Sequence, residues 1–269
     1  MVIDTTKCNG CYNCFIACRD EFCGNEHTGY AASQPESGHF WMRIVERERG
    51  KFPKVKVAYI PVACMHCENA PCVAAAKNGA VYRRPDGVVI IDPEKSKNQK
   101  QIVEACPYRV IYWNDEKKIP QKCNFCVHLL DAGWKEPRCV EACPTDALVF
   151  GDLDDSESEV FKLRVSKQSE SIHPEYQLKE RITYIGLPKR FVAGSVVLGD
   201  TGECAEGAAV TLGGTKTVKT NNYGDFEFEG LPEDTIYEVK VDYSGYKSQI
   251  FTIRTKVDIY LGDITLLKE

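Results

Sequence analysis

A chain of 269 residues can fold as one large domain or two ordinary ones, and its 43% apolar and 27% charged residues are ordinary globular composition. A formal charge of −5 supplies no basic excess to neutralise phosphates, which argues against a nucleic-acid partner. Met1 to Cys8 carry no apolar run and no stretch reaches the ~20 apolar residues of a membrane span, so neither a signal peptide nor a transmembrane helix is expected.

The cysteines carry the signal: there are 14, and 13 lie at or before Cys143. Disulfide scaffolds are usually much shorter and exported, so metal ligation is the expectation. The first group, Cys8-x2-Cys11-x2-Cys14-x3-Cys18, is the bacterial ferredoxin run. Three thiolates on a tightly curled loop grip one cubane, and the fourth, on the next helical turn, faces another. Then come Cys64-x2-Cys67-x4-Cys72 and the isolated Cys106-Pro107. The last group, Cys123-x2-Cys126-x12-Cys139-x3-Cys143 followed by Pro144, has the same two ends, with its third cysteine displaced by an insertion.

A single Cys-x2-Cys is equally compatible with a zinc knuckle. Three such loops with two Cys-Pro ligands give 12 cysteines in complete quartets. If each cluster takes three ligands from its own loop and one from a partner loop, three sets follow. They are Cys8, Cys11, Cys14 and Cys143; Cys123, Cys126, Cys139 and Cys18; and Cys64, Cys67, Cys72 and Cys106. Three [4Fe–4S] clusters are therefore expected, although four cysteines do not by themselves exclude [3Fe–4S]. Cys23 and Cys204 fit no set and read as small buried residues.

Other side chains within residues 1–150 bear on the clusters. His66 and His128 are placed either to donate a hydrogen bond toward a cluster or to act as ordinary hydrogen-bonded histidines. Lys122 and Arg138 precede cluster cysteines and bring positive charge, which favours a reduced cluster. Tyr12, Phe15, Trp113, Phe125 and Trp134 read as shields against water. No Rossmann glycine fingerprint, P-loop or His-Glu-x-x-His is present, so the chain reads as a conduit for electrons without an active site of its own.

Residues 151–190 form a connector opening on the acidic run Gly151–Glu159, a solvated segment. Residues 191–269 read as short alternating strands: Phe191–Leu198, Ala208–Leu212, Lys216–Thr220, Asp225–Glu229, Ile236–Asp242, Gln249–Ile253, Val257–Leu261 and Ile264–Leu267. Turn residues such as Asn221-Asn222-Tyr223-Gly224 separate them. The predicted fold class is thus an α+β pair of ferredoxin-like modules followed by an all-β sandwich. The β region resembles the carboxypeptidase-regulatory or transthyretin-like variety of immunoglobulin-type fold, on Gly194-Ser-Val196, Thr220–Phe226 and Tyr237 with Gly245-Tyr246. It reads as an assembly module, with carbohydrate binding as the alternative.

The cysteine pattern resembles the ferredoxin-like iron–sulfur subunits of molybdenum oxidoreductases related to dimethyl sulfoxide reductase. Such subunits normally carry a fourth cluster. Its ligand positions correspond here to Ala76, Ser96, Gln99 and Ile102, so the resemblance implies three clusters. Within this family the chain is most similar to the small subunits of pyrogallol–phloroglucinol transhydroxylases, at Cys64–Cys72, Asn78–Tyr82, Gln121-Lys-Cys123 and in the β region. The resemblance implies a large partner subunit holding molybdenum or tungsten on two pyranopterin guanine dinucleotides, in a heterodimer or an assembly of heterodimers. In that subunit a hydroxyl group would pass between polyhydroxybenzenes. A molybdenum hydroxylase acting on resorcinol, another oxidoreductase, clusters with a structural role, and a free ferredoxin with a carbohydrate-binding tail are the alternatives. The expected location is the cytoplasm, or beyond the membrane if a signal-bearing partner carries the chain there.

Overall fold

The computed structural model describes residues 1–269, and they divide into two compact units: Met1–Glu46 with Tyr59–Leu187, and Arg47–Ala58 with Pro188–Glu269. In chain order the first unit contains β1 (Val2–Asp4), α1 (Asn13–Phe22), the inner parts of β2 (Arg43–Lys51) and β3 (Lys54–Val62), α2 (Pro71–Ala75), β4 (Val81–Arg83), β5 (Val89–Ile91), α3 (Gln101–Glu104), β6 (Tyr112–Asn114), β7 (Ile119–Gln121), α4 (Val127–Asp131), α5 (Arg138–Glu141), β8 (Leu148–Val149), α6 (Glu159–Ser166) and β9 (Thr183–Ile185). Most of these are only two to five residues long. Helices this short do not persist on their own; here they and the loops between them carry the cysteines, eight of which lie inside the apolar cluster formed with Ile60, Met65, Val89 and Ile102.

The segment expected as a connector folds with the first unit. β1 pairs antiparallel with β8 (Ile3↔Leu148) and parallel with β9 (Ile3↔Tyr184), closing a three-stranded sheet. The alternation in Ile182-Thr-Tyr184 explains it. Ile182 and Tyr184 are fully buried, and the Tyr184 hydroxyl donates to the Pro61 carbonyl at 2.9 Å. The acidic run before it is exposed for most of its length and ends at Ser158, whose Oγ accepts the Phe161 amide and caps α6. No helix is long and apolar enough to cross a membrane.

The second unit is a two-sheet β-sandwich of β10 (Arg190–Leu198), β11 (Ala209–Leu212), β12 (Lys216–Lys219), β13 (Asp225–Leu231), β14 (Ile236–Asp242), β15 (Gln249–Arg254) and β16 (Ile259–Leu266). The sheet orders are β13-β10-β16 and β12-β11-β14-β15. Alternate residues of each strand, including Val192, Val196, Val210, Leu212, Phe226, Phe228, Val239 and Val241, fill the core between the sheets. The two strands expected over Val257–Leu261 and Ile264–Leu267 are one strand, β16. It runs parallel to β10 through a register shift beside Gly262, whose left-handed φ of +74° favours glycine. Outer residues of the β2–β3 pair complete this unit. Buried Asp258 accepts the Phe191 amide at 2.9 Å and lies 3.6 Å from the guanidinium groups of both Arg49 and Arg190. Lys54 and Lys56 both pair with Glu227.

Candidate metal centre

Three loops of the first unit repeat one backbone turn. The residue before the second cysteine of each loop is left-handed: Gly10 (φ 72°), His66 (45°) and Phe125 (55°). This turns the two flanking thiols to the same side. Left-handed backbone costs a residue with a Cβ roughly 1–2 kcal/mol, which Gly10 avoids and His66 and Phe125 do not. In two of the loops an asparagine side chain fixes the turn. Asn9 Oδ1 accepts the Cys11 amide at 3.2 Å, and Asn124 Oδ1 accepts the Cys126 amide at 2.9 Å.

The two Cys-Pro segments are also alike. Arg109 and Asp146, each three residues past its cysteine, are left-handed at φ 53° and 50°. The chain curls back so that amides aim at the sulfur: those of Val110, Tyr108 and Arg109 at Cys106, and those of Thr145, Ala147 and Leu148 at Cys143. At Cys106 burial still wins and the thiol is pushed up. At Cys143 burial acts the same way, but those amides and the Thr145 hydroxyl outweigh it and the thiol is lowered.

The thiols that raise one another's pKa fall into three neighbourhoods. Cys8 and Cys14 feel Cys143 and Cys11. Cys18 and Cys139 feel Cys123 and Cys126. Cys67 and Cys72 feel Cys64 and Cys106, and those four line a single cavity. Cys14 also acts on Cys18 and Cys139, and Cys64 acts on Cys123. The Cys123 neighbourhood therefore stands between the other two in space, although Cys64 to Cys106 stand between in sequence. Helix α1, packed against α5, carries both Cys14 and Cys18 and so reaches two neighbourhoods at once.

Burial, followed by the neighbouring sulfurs, pushes Cys14 and Cys67 up to about 12, and burial foremost takes Cys126 to about 12 and Cys72 and Cys123 to about 11. None of these five would be a thiolate at neutral pH without a cationic centre to hold it. Clustered, desolvated thiols free of disulfides are the donor chemistry that iron–sulfur cubanes require.

Around them the polar groups are definite. His66 is fully buried and stacks on Phe125 at 3.9 Å; its Nδ1 accepts the Val89 amide at 3.0 Å, so the ring proton is on Nε2, which has no partner in the protein. Lys122 donates to the carbonyls of Val89 and Cys123. His128 Nε2 lies 2.8 Å from Glu21, and Arg138 pairs with Glu21 and Glu141. Glu21, His27 and His128 gather three potential ligand atoms within 4.8 Å of one another, a cluster that sequence spacing does not signal. The two imidazoles are stacked 3.7 Å apart at 25°, so their in-plane lone pairs run nearly parallel instead of converging on one ion.

Where a fourth quartet would stand, Gln99 fills the place. Its side chain accepts the Lys77 amide at 2.8 Å and donates to the carbonyls of Lys77 and Lys95, over fully buried Ser96 and Ile102. Cys23 lies apart from the three neighbourhoods, half-buried, with the Arg19 guanidinium donating to its sulfur at 3.2 Å. Cys204, expected to be buried, is exposed. Trp134 is 43% exposed with Arg138 at its face, so it shields little. A cleft of about 320 Å³ bordered by Asp86, Asp152, Asp154 and Arg181 contains no cysteine and no nucleophile–base pair.

Comparison with known proteins follows the same two-part division. Residues 55–153 match the 4Fe-4S dicluster domain, and residues 192–266 match the carboxypeptidase regulatory-like domain. The pyrogallol hydroxytransferase small subunit of Pelobacter acidigallici is 42% identical over 276 residues, spanning 99% of this chain and 98% of that one. A putative iron–sulfur subunit of dimethyl sulfoxide reductase from Halobacterium salinarum is 35% identical over 192 residues, 60% of this chain and 69% of that one. An iron–sulfur subunit of arsenate respiratory reductase from Shewanella is 31% identical over 233 residues, 69% of this chain and 94% of that one.

Proposed function

This chain belongs to the iron–sulfur electron-transfer small subunits of the dimethyl sulfoxide reductase family of molybdenum oxidoreductases, and from that premise we propose that it holds three [4Fe–4S] clusters serving a large molybdopterin subunit that moves hydroxyl groups between polyhydroxybenzenes. The chain itself is the non-catalytic partner. The clusters take Cys8, Cys11, Cys14 and Cys143; Cys18, Cys123, Cys126 and Cys139; and Cys64, Cys67, Cys72 and Cys106. A cubane with four thiolate ligands supplies one-electron transfer and offers no open position to a substrate.

The residues divide the remaining work. The left-handed turns at Gly10, His66 and Phe125 aim pairs of thiols, and the amides after Pro107 and Pro144 stabilise the charge on Cys106 and Cys143. Apolar burial keeps water from most of the sulfurs, while Cys11 is exposed, which puts the first set nearest the surface. Electrons would pass along the order set by Cys14 and Cys123, from the first set through the Cys123 set to the Cys64 set or the reverse.

The observation that carries the substrate assignment is the span of the similarity to the pyrogallol hydroxytransferase small subunit, which includes the β-sandwich; the two reductase subunits cover 60% and 69% of this chain. Since hydroxyl transfer between benzenes has no net redox change, the clusters would set or restore the metal's oxidation state. Metal analysis of the anaerobically purified complex tests the whole reading. It should give about 12 iron atoms per chain, from three four-iron clusters, with one molybdenum or tungsten and a large second subunit. Hydroxyl transfer between polyhydroxybenzenes should copurify with it. Iron without a molybdoprotein partner would discard the assignment.

A further inference from the structure

Lys122 is 4% exposed and pairs with no carboxylate; its Nζ donates to the carbonyls of Val89 at 2.5 Å and Cys123 at 3.0 Å. An ammonium taken out of water is costly unless an anion compensates it, and two carbonyl dipoles compensate only in part. Arg138, the other cation preceding a cluster cysteine, differs: it is half-buried and neutralised by Glu21 and Glu141. The position of Lys122 names its missing anion. Val89 lines the cavity of Cys64, Cys67, Cys72 and Cys106, while Cys123 belongs to the neighbouring set. Burial raises the thiols of Cys72 and Cys123, and at both the charge of Lys122 opposes it.

A thiolate-ligated cubane carries net negative charge and becomes more negative on reduction, so nearby positive charge favours its reduced form. We infer that Lys122 is a fixed countercharge shared by the two clusters at Cys64–Cys106 and Cys18–Cys139, raising both reduction potentials while leaving the cluster at Cys8–Cys143 untouched. The inference rests on the three-cluster reading. Lys122 is a tuning residue, with no contact to any substrate. Val89 ties the device together: its carbonyl accepts from Lys122, and its amide donates to Nδ1 of His66 and so orients the ring stacked on Phe125.

The test is a potentiometric titration of the anaerobic complex followed by electron paramagnetic resonance, comparing wild type with Lys122→Gln and Lys122→Arg. The glutamine amide keeps a donor for a carbonyl but removes the charge. Two of the three clusters should become harder to reduce by at least about tenfold in equilibrium constant, about 59 mV for one electron. The third should hold its wild-type potential, and Lys122→Arg should hold all three. Equal shifts of all three clusters, no shift in any, or an arginine variant shifted like the glutamine one would each overturn the inference. If Lys122→Gln fails to retain iron, the arginine variant decides: unshifted potentials support the shared charge and a tenfold shift overturns it. Fewer than about 12 iron atoms per chain in the wild type would remove the three-cluster reading instead.

Discussion

Asn9 and Asn124 hold the same turn in two loops far apart in the chain, each accepting the amide of the residue two positions on, Cys11 and Cys126. The Asn124 bond is fully buried, so nothing replaces it when it is removed. Asn124→Ala leaves the Cys126 amide unsatisfied at about 1–3 kcal/mol and frees a loop already strained by left-handed Phe125 and Cys126. The expected outcome is faster loss of iron to a chelator, by about tenfold, while Asn124→Asp, which keeps the acceptor, stays close to wild type. Equal rates for the alanine and wild-type proteins would mean that the metal alone shapes the loop.

Cys106 reaches the Cys64 set from a separate loop. Under the three-cluster reading, Cys106→Ala should lower iron from about 12 to about 8 atoms per chain, because one four-iron cluster is lost. Proteolysis should then open residues 60–110 before the sandwich. An unchanged iron content would sink the proposed pairing.

How far the sequence leads differs between the two units. Cysteine spacing is legible because short loops leave thiols few directions in which to point. The sandwich strands are legible from alternation, and Ile236–Asp242 matches its predicted bounds. The continuity of β16 is not legible, because Gly262-Asp263 interrupts the apolar runs Val257–Leu261 and Ile264–Leu267; pairing with β10 carries the chain straight through a bulge there. β9 is hidden in a polar segment because its partner, β1, lies at the opposite end of the unit's chain. Residue type alone puts Cys204 inside, whereas it bridges to Val197 at an exposed edge. The isolation of Lys122 cannot be read at all, because an absent carboxylate is a fact of three-dimensional packing.

Asp258 is the electrostatic centre of the second unit. It is 3% exposed at its side chain, between Arg49 and Arg190, with the Phe191 amide on Oδ1. Asp258→Ala leaves the buried Phe191 amide without its acceptor and removes the carboxylate between Arg49 and Arg190, a change of about 1–3 kcal/mol. Asp258→Asn keeps an acceptor for Phe191 and should cost less. Hydrogen exchange at the amides of β10 and β16 in the full chain measures both, and equal protection in all three proteins would show that this carboxylate contributes nothing to the sandwich.

Glu227 gives the same unit a pH dependence. Burial pushes its carboxyl up, but Lys56 and Lys54 outweigh burial and hold it below the ordinary carboxylate range. A carboxyl lowered in the folded state contributes stability that is fully present above its unfolded pKa, about 4.3, and is lost as pH falls through the lower folded value. Near neutral pH, Glu227→Gln should therefore lower the exchange protection of the Lys54–Lys56 segment relative to wild type. As pH falls below about 4.3 the two proteins should converge, once rates are corrected for intrinsic exchange. Lys56 remains charged throughout this window, and Glu229, its other partner, is common to both proteins, so the difference between them reports Glu227. A difference that persists unchanged to pH well below that value would place the stabilisation in packing and not in charge.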